Sequence, residues 1–182
     1  MEQPKLQEWV PGCYSLKYPA TVVAADAMIY RRHHSGDFDI LVGRRGPGRW
    51  AAGMPLLTFG GFIDPTDESP WHTVARELRE ELGEQMVMEI PPVPFMISGP
   101  VRYCHVWDAE KSQAISTGIL MQDIPVIVLT YLSECKRGEP EPTEEVPSAE
   151  WWSFRKLLAE TREYAFDGAR VLAAFRKLCH NL

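Results

Sequence analysis

The sequence of 182 residues has no long hydrophobic run, no cysteine pair and no excess of positive charge. Its longest apolar stretch, from Ile124 to Leu132, is interrupted by Pro125 and Thr130 and falls short of the ~20 apolar residues that a membrane helix needs. The N-terminus shows neither the basic nor the apolar segment of a secretory signal. We therefore expect a cytoplasmic protein without a membrane partner.

The cysteines and the charge exclude two further classes of site. The four cysteines form no C-x-x-C pair and have no histidine at zinc-finger spacing, so we expect reduced thiols. Lys and Arg number 19 against 25 Asp and Glu, and the net charge of −6 repels a phosphate backbone. We therefore expect no nucleic-acid partner.

The composition is that of an ordinary globular protein, with 45% hydrophobic and 24% charged residues. The length fits one domain. Residues 1–18 are polar and irregular in pattern, and we interpret them as an N-terminal extension. Residues 19–182 then form a single domain.

Apolar runs alternate with loops along this domain. The runs 21–30 and 38–42 flank a polar loop and predict a β-hairpin. Ser69 and Pro70 predict the start of a helix and Gly83 its end, with one apolar stripe between them. The later pattern predicts strands over 87–90, 101–107 and 124–132, an acidic loop over 134–147, a short strand or turn over 150–154, and one or two helices over 155–177. This order predicts an α/β (α+β) fold with a mixed β-sheet between helices.

The predicted helix carries Glu77, Glu80 and Glu81 at positions i, i+3 and i+4, so the three carboxylates project from one side. Such a cluster is typical of a solvated acidic face. The alternative is a divalent cation, because hard oxygen ligands suit Mg²⁺ or Mn²⁺ and a cation neutralises the repulsion among them.

A cationic loop precedes this helix in the chain. The segment 43–50 is rich in glycine and carries Arg44, Arg45, Arg49 and Trp50. The loop is either a solvated basic turn or a contact for an anion, since arginine makes bidentate bonds to phosphate and Trp50 offers a ring on which a base can stack.

The order of residues around the glutamates resembles the signature of the Nudix hydrolases, G-x5-E-x7-R-E-U-x-E-E-x-G-U, in which U is aliphatic. The match runs over about 61–84 and includes Gly61, Glu68 and the complete segment Arg76 to Gly83. Two positions depart from the signature: six residues instead of five separate Gly61 from Glu68, and Glu84 replaces an aliphatic residue. The first departure means either a one-residue bulge or that Asp67 takes the role of the early glutamate.

Looser similarity outside residues 61–84, the Nudix box, points to the ADP-ribose pyrophosphatase-like branch. Gly60 to Asp64 is similar to the G-G-F-V-D turn of that branch, Glu145-Val146 before Trp151-Trp152 is similar to its E-V…W element, and Phe166-Asp167 is similar to the start of its last helix. The resemblance implies a Nudix-type α/β/α sandwich.

The resemblance also implies roles for individual residues. Glu77, Glu80, Glu81 and the carbonyl of Gly61 would bind Mg²⁺ or Mn²⁺. Arg76 would hold Glu68 and a box glutamate in orientation. The catalytic set would be Glu80, Glu81, Arg76 and Glu145, with Glu145 preferred to Glu144 as the base outside the box. The substrate would contact Arg44, Arg45, Arg49 and Trp50.

The implied reaction is metal-dependent hydrolysis of the pyrophosphate bond in a nucleoside diphosphate linked to another moiety, most readily ADP-ribose or a nucleotide sugar. Two alternatives stay open. One is a coenzyme A-type or nucleoside triphosphate pyrophosphatase. The other is a non-catalytic domain that senses ADP-ribose, which the presence of all three box glutamates disfavours. A homodimer is also expected, because dimers are common in this branch.

Overall fold

The computed structural model describes residues 6–10, 13–16, 22–33, 36–48, 51–103, 106–108, 113–114, 119–120, 124–160 and 162–180. The helices are α1 (Pro70–Leu82), α2 (Phe154–Ala159) and α3 (Gly168–His180). The strands are β1 (Leu6–Val10), β2 (Cys13–Leu16), β3 (Val22–Arg32), β4 (Phe38–Arg44), β5 (Pro55–Leu56), β6 (Phe59–Phe62), β7 (Val87–Glu89), β8 (Met96–Tyr103), β9 (Val106–Asp108), β10 (Gln113–Ala114), β11 (Ile119–Leu120), β12 (Ile124–Arg137) and β13 (Ser148–Ser153).

The central sheet has the strand order β13-β4-β3-β12-β7, with β5 on β4, β6 on β3 and β8 on β12. The sheet is mixed, because β3 and β12 run parallel while their other pairings are antiparallel. Side chains alternate along β3: Ala25 and Ala27 join one core cluster, and Met28 joins a second one on the other face. Both faces of the sheet are therefore covered.

Helix α1 covers the first face. Ser69 has extended backbone angles and its hydroxyl accepts the N–H of His72, and Gly83 ends the helix at φ 84°. Val74, Leu78 and Leu82 are buried against the sheet, with at most 4% of their surface exposed. The predicted helix and its two ends are confirmed.

Helices α2 and α3 cover the second face. Leu157 of α2 and Val171 and Phe175 of α3 pack with Met28 and Trp152 of the sheet. The mixed sheet therefore lies between helices, which confirms the predicted fold class. In the described ranges no helix is long and apolar enough to cross a membrane.

The structure corrects three predicted elements. The prediction of irregular structure over 1–18 was wrong for β1 and β2, which form a short antiparallel pair. The predicted strand over 101–107 begins earlier, at Met96, where β8 pairs with β12. Strand β12 continues to Arg137 into the predicted acidic loop, because Lys136 contacts both Glu89 and Glu134 and offsets their repulsion in the β7–β12 pair. The division of the chain at residue 18 stays a prediction.

Candidate active site

The three glutamates of α1 lie at different depths. Glu81 is 2% exposed and belongs to the buried side of the helix. Glu77 is half-buried, with 15% of its side chain exposed, whereas 58% of the Glu80 side chain is exposed. The helix therefore presents a graded set of carboxylates, from the interior to the solvent.

Glu81 is held by two contacts from outside the helix. Its Oε2 accepts the backbone N–H of Gly60 at 2.9 Å, and its Oε1 lies 3.6 Å from Nη1 of Arg45. Burial raises the pKa of Glu81 to about 8; Arg45 and the Gly60 N–H lower it in part, while the charges of Glu77 and Glu145 raise it further. Without a further cation, this carboxylate is strongly biased toward its protonated form.

The Gly60-Gly61 pair of β6 allows the strand to approach both β3 and α1. A Cβ on Gly60, whose φ is 151°, would lie 2.3 Å from the carbonyl oxygen of Ala25. A Cβ on Gly61 would lie 2.4 Å from Oε1 of Glu77. The predicted metal ligands Gly61 and Glu77 are therefore direct neighbours, and the glycine makes room for the carboxylate.

Arg76 connects the loop before α1 to the helix. Its Nη2 and Nε donate to the two carboxylate oxygens of Asp67, at 3.1 and 3.3 Å, and its Nη1 donates to Glu77 at 2.8 Å and to Glu80 at 3.2 Å. The bidentate bond to Arg76 holds the pKa of Asp67 well below its usual range. Burial still raises the pKa of Glu77, although Arg76 lowers it.

The expected contact between Arg76 and Glu68 was wrong. The Glu68 side chain is 85% exposed and lies 3.6 Å from His72. Asp67 is directed inward because it accepts the hydroxyl of Thr73 at 2.8 Å and the N–H of Asp64 at 3.0 Å. Asp67, which five residues separate from Gly61, therefore takes the position of the early acid beside Arg76, as the second interpretation of the spacing predicts.

Arg45 brings Glu145 to the helix. Its Nη1 lies 3.6 Å from Oε1 of Glu81 and 3.7 Å from Oε2 of Glu145, and its guanidinium lies over the ring of Phe166 at 5.4 Å. The backbone strengthens this link, since the N–H of Gly46 donates to the carbonyl of Glu145 at 2.8 Å. A residue distant in sequence thereby joins the box carboxylates.

Of the other three predicted substrate contacts, the structure describes only Arg44. Arg44 donates to the carbonyl of Gly53 at 3.0 Å and braces the loop from which Arg45 extends. Arg49 and Trp50 lie outside the described residues. Their contact with substrate stays a prediction.

Asp26 is an acidic residue near the site that the sequence analysis did not single out. It pairs with Gly60 across β3 and β6, on the other side of Gly60 from Glu81. Burial raises the pKa of Asp26 to about 6, against the influence of the Thr130 and Thr58 hydroxyls. The sequence does mark this position, because Asp26 is the one charged residue in the apolar run from Val22 to Ile29.

The cluster suits a hard divalent cation by its donor chemistry. The charges of Glu77 and Glu145 raise the pKa of Glu81, and the charge of Glu145 also raises that of Glu77. In this structure Arg45 and Arg76 supply positive charge beside these carboxylates. Among the described side chains, no three Asp, Glu, His or Cys groups are already arranged as a ligand set. A cation at this cluster would neutralise the same carboxylates that Arg45 and Arg76 contact in this structure.

Comparison with known proteins gives a family match and a shared fold. The family model for the NUDIX domain matches residues 20–175. No curated protein matches the sequence significantly.

Many solved structures are similar to this chain, among them the following three. The NUDIX domain of Shewanella oneidensis NrtR complexed with ADP ribose is 19% identical, with a TM-score of 0.53 over 89% of this chain and 90% of its own. The MutT protein of Methanosarcina mazei Go1 is 22% identical, with a TM-score of 0.58 over 90% of this chain and 99% of its own. A C. elegans Ap4A hydrolase is 19% identical, with a TM-score of 0.56 over 88% of this chain and 99% of its own. At these identities the likeness shows the fold.

Proposed function

The chain belongs to the NUDIX domain family, as an enzyme of the pyrophosphatase type, and we propose that it hydrolyses the pyrophosphate bond of a nucleoside diphosphate linked to another moiety. ADP-ribose and nucleotide sugars are the first candidates. The observation that carries the proposal is the meeting of Glu81 and Glu145 at Arg45, with Glu77 close enough to Glu81 to raise its pKa. Binding of ADP ribose by the similar NrtR domain supports the choice of substrate class.

Glu77, Glu80, Glu81 and the carbonyl of Gly61 would hold Mg²⁺ or Mn²⁺. When bound, the divalent cation neutralises charge on the pyrophosphate and lowers the pKa of the attacking water. Arg76 orients Glu77 and Glu80 by donating to both carboxylates.

Residues outside the helix complete the proposed mechanism. Glu145, held beside Glu81 by Arg45, accepts the proton of the attacking water. The Arg45 guanidinium, which lies beside Glu81 and Glu145, would also be placed to bind a substrate phosphate, to which arginine binds bidentately. Arg49 and Trp50 stay predicted contacts for the rest of the substrate.

The experiment that tests this function measures phosphate release, after coupling to a phosphatase, from a panel of compounds with Mg²⁺ or Mn²⁺. The panel contains ADP-ribose, nucleotide sugars, coenzyme A, dinucleoside polyphosphates and nucleoside triphosphates. Wild type is compared with Glu81→Gln, which keeps the shape of the buried side chain, and with Glu68→Gln, an exposed control in the same box.

We expect metal-dependent turnover of one nucleoside diphosphate derivative, loss of that turnover in Glu81→Gln and retention in Glu68→Gln. Preference for coenzyme A or a triphosphate would replace the proposed substrate by the alternative pyrophosphatase activity. A wild type that is inert on every compound but is stabilised by ADP-ribose would support the sensing domain instead. The homodimer and the cytoplasmic location stay predictions.

A further inference from the structure

The loop between β12 and β13, residues 138–147, returns along the end of helix α1 before it reaches Glu145. The N–H of Glu141 donates to the carbonyl of Leu82 at 2.8 Å. Gly83, which ends the helix, leaves no room for a Cβ, because the carboxylate of Glu141 fills that position. The loop is therefore packed against the last turn of α1.

Thr143 makes the next bond from this loop to the helix. Its Oγ1 donates to the carbonyl of Glu81 at 2.9 Å and accepts the N–H of Val146 at 3.1 Å. The carbonyls of the last helical turn have no N–H partner within the helix, so the loop supplies donors that α1 lacks. One hydroxyl group thereby joins the backbone of Glu81 to the residue that follows Glu145.

The turn 143–146 is closed by bonds in both directions. The N–H of Thr143 donates to the carbonyl of Val146 at 3.0 Å, and the N–H of Val146 donates to the Thr143 hydroxyl. The Val146 side chain is buried in the core that α1 covers. Glu145 is therefore held in a turn that is fixed to the core at one end and to α1 at the other.

The loop after β4 contacts the other side of this turn. Gly46 donates its N–H to the carbonyl of Glu145 at 2.8 Å and leaves no room for a Cβ, because the carbonyl of Glu144 occupies that position. Arg45 reaches the Glu81 and Glu145 carboxylates at 3.6 and 3.7 Å, which is longer than a hydrogen bond. The backbone bonds of the turn, more than Arg45, therefore determine where Glu145 lies.

We propose that Thr143 is a positioning residue for hydrolysis, because its hydroxyl group fixes the separation of Glu145 from Glu81 by bonding the backbone segments that carry them. The O–H of Thr143 is its one side-chain donor and is already used by the Glu81 carbonyl. Thr143 therefore acts through Glu145 and not on the substrate. This inference rests on the proposed function, in which Glu145 accepts the proton of the attacking water.

The test measures kcat and KM separately for Thr143→Val, which keeps the shape of the side chain and loses the hydroxyl group. We expect kcat to fall about 10- to 100-fold, since misplacement of a catalytic group by about 1 Å has effects of this size. KM should stay within about twofold, because the substrate loses no contact. Thr143→Ser, which retains the donor and the acceptor, should keep kcat within about threefold of wild type.

Thr143→Ala is a second variant without the hydroxyl group. Thr143 is only half-buried, so water can enter the space that alanine leaves and the chain should fold even if Thr143→Val does not. A lower kcat is expected here too, because a water molecule is not attached to the turn and cannot fix it.

A double-mutant cycle with Glu145→Gln distinguishes positioning from a general loss of structure. If Thr143 acts through Glu145, Thr143→Val should lower kcat less than about twofold once Glu145 is replaced by Gln. A threonine that is merely structural would lower kcat by the same factor in both backgrounds.

The matched control is Ser153→Ala. The Ser153 hydroxyl also accepts a backbone N–H, that of Lys156 at 3.3 Å, but it does so at the start of α2, on the other face of the sheet. This variant should lower the melting temperature by loss of a helix cap and retain kcat.

The results separate the inference from the proposed function. Unchanged kcat in the hydroxyl-free variants that fold, failure of Thr143→Ser to retain kcat, or equal losses in both backgrounds of the cycle would overturn the positioning role and keep the hydrolase. A wild type that hydrolyses none of the panel would reject the proposed function, and the positioning role with it.

Discussion

Arg76 has the most connected side chain of the box, since it contacts Asp67, Glu77 and Glu80 at once. A guanidinium can do this because its donors form a rigid planar fork, which the ammonium group of lysine lacks. The loop before α1, the half-buried Glu77 and the exposed Glu80 are thereby oriented together. The chemistry of the helix therefore depends on a residue that need not touch the substrate.

Replacement of Asp67 by Asn should reduce hydrolysis about 10- to 100-fold, the usual effect of losing a residue that orients metal ligands. Glu68→Gln should leave kcat/KM within about twofold, because the Glu68 side chain is 85% exposed and makes no contact with Arg76. Both substitutions replace a carboxylate by the corresponding amide, and the two positions are adjacent in the sequence. If Glu68→Gln were the more damaging change, the assignment of Asp67 to the role of the early acid would be wrong.

The raised pKa of Glu81, about 8 in the folded chain against an ordinary value of 4.5, predicts a pH-dependent stability of the metal-free protein. Between these values the folded state binds more protons than the unfolded state, so the free energy of unfolding falls as pH rises. The slope from this group is at most about 1.4 kcal/mol per pH unit. Asp26 contributes with the same sign up to about pH 6, so the window from pH 6 to 8 reports mainly on Glu81.

Urea unfolding in EDTA at pH 6, 7 and 8 measures this slope. Glu81→Gln should flatten it, because an amide does not titrate. Asp67 does not interfere, since its pKa is lowered and its contribution is lost only as pH falls below its ordinary value of 3.8. If the free energy of unfolding changed with pH equally in wild type and in Glu81→Gln, Glu81 would not be the group that causes the pH dependence.

At the scale of elements, strand β6 lies between helix α1 and strand β3. On one side its Gly60 N–H binds Glu81 of α1, and on the other it pairs with Asp26 of β3. Neither glycine of β6 leaves room for a Cβ, because the backbone of β3 and the carboxylate of Glu77 already fill those positions. Gly60 is therefore required for packing against β3, whereas Gly61 makes room for the carboxylate of Glu77.

Gly61→Ala should lower activity about 100-fold while the chain stays folded, since misplacement of a catalytic group by about 1 Å has effects of this size. The added methyl group would meet the flexible end of Glu77, 2.4 Å away, so the carboxylate moves and the backbone does not. Thermal unfolding and kcat/KM measure the two consequences.

A second substitution makes this prediction sharper. In Gly61→Ala combined with Glu77→Asp the shorter side chain provides space for the methyl group. The double variant should be more active than the product of the two single effects predicts, a coupling that a double-mutant cycle measures. Simple additivity would contradict the contact.

At the scale of the whole molecule, the sheet brings together carboxylates that are remote in sequence. Glu81 and Glu145 are joined by Arg45, which is carried by the loop after β4. This arrangement places positive side chains where a divalent cation would also be favourable. Cation binding and folding stability should consequently be linked.

Mg²⁺ or Mn²⁺ should therefore raise the melting temperature of wild type, and the shift should be reversed by EDTA. Linkage predicts about 2.7 kcal/mol of stabilisation at a cation concentration 100 times the dissociation constant. Glu81→Gln should lose most of the shift, and Glu68→Gln should retain it. A melting temperature that does not respond to the cation in wild type would argue against a site on α1.

The sequence alone determined the parts of this protein that depend on local spacing. Ser69, Pro70 and Gly83 set the ends of α1, and the helical repeat placed Glu77, Glu80 and Glu81 on one side, because both features involve neighbours within one or two turns. The alternating strands and helices likewise predicted the mixed sheet between helices.

Only the tertiary structure decided which acid meets Arg76 and which residues surround Glu81. Asp67 and Glu68 are adjacent in sequence, and the choice between them depends on a turn stabilised by Asp64 and Thr73. Arg45, Asp26 and Glu145 reach the site from separate strands and loops, whose register is set by packing across the sheet. Spacing along the chain carries no information about such contacts, because the distance between strands is determined by pairing and not by sequence separation.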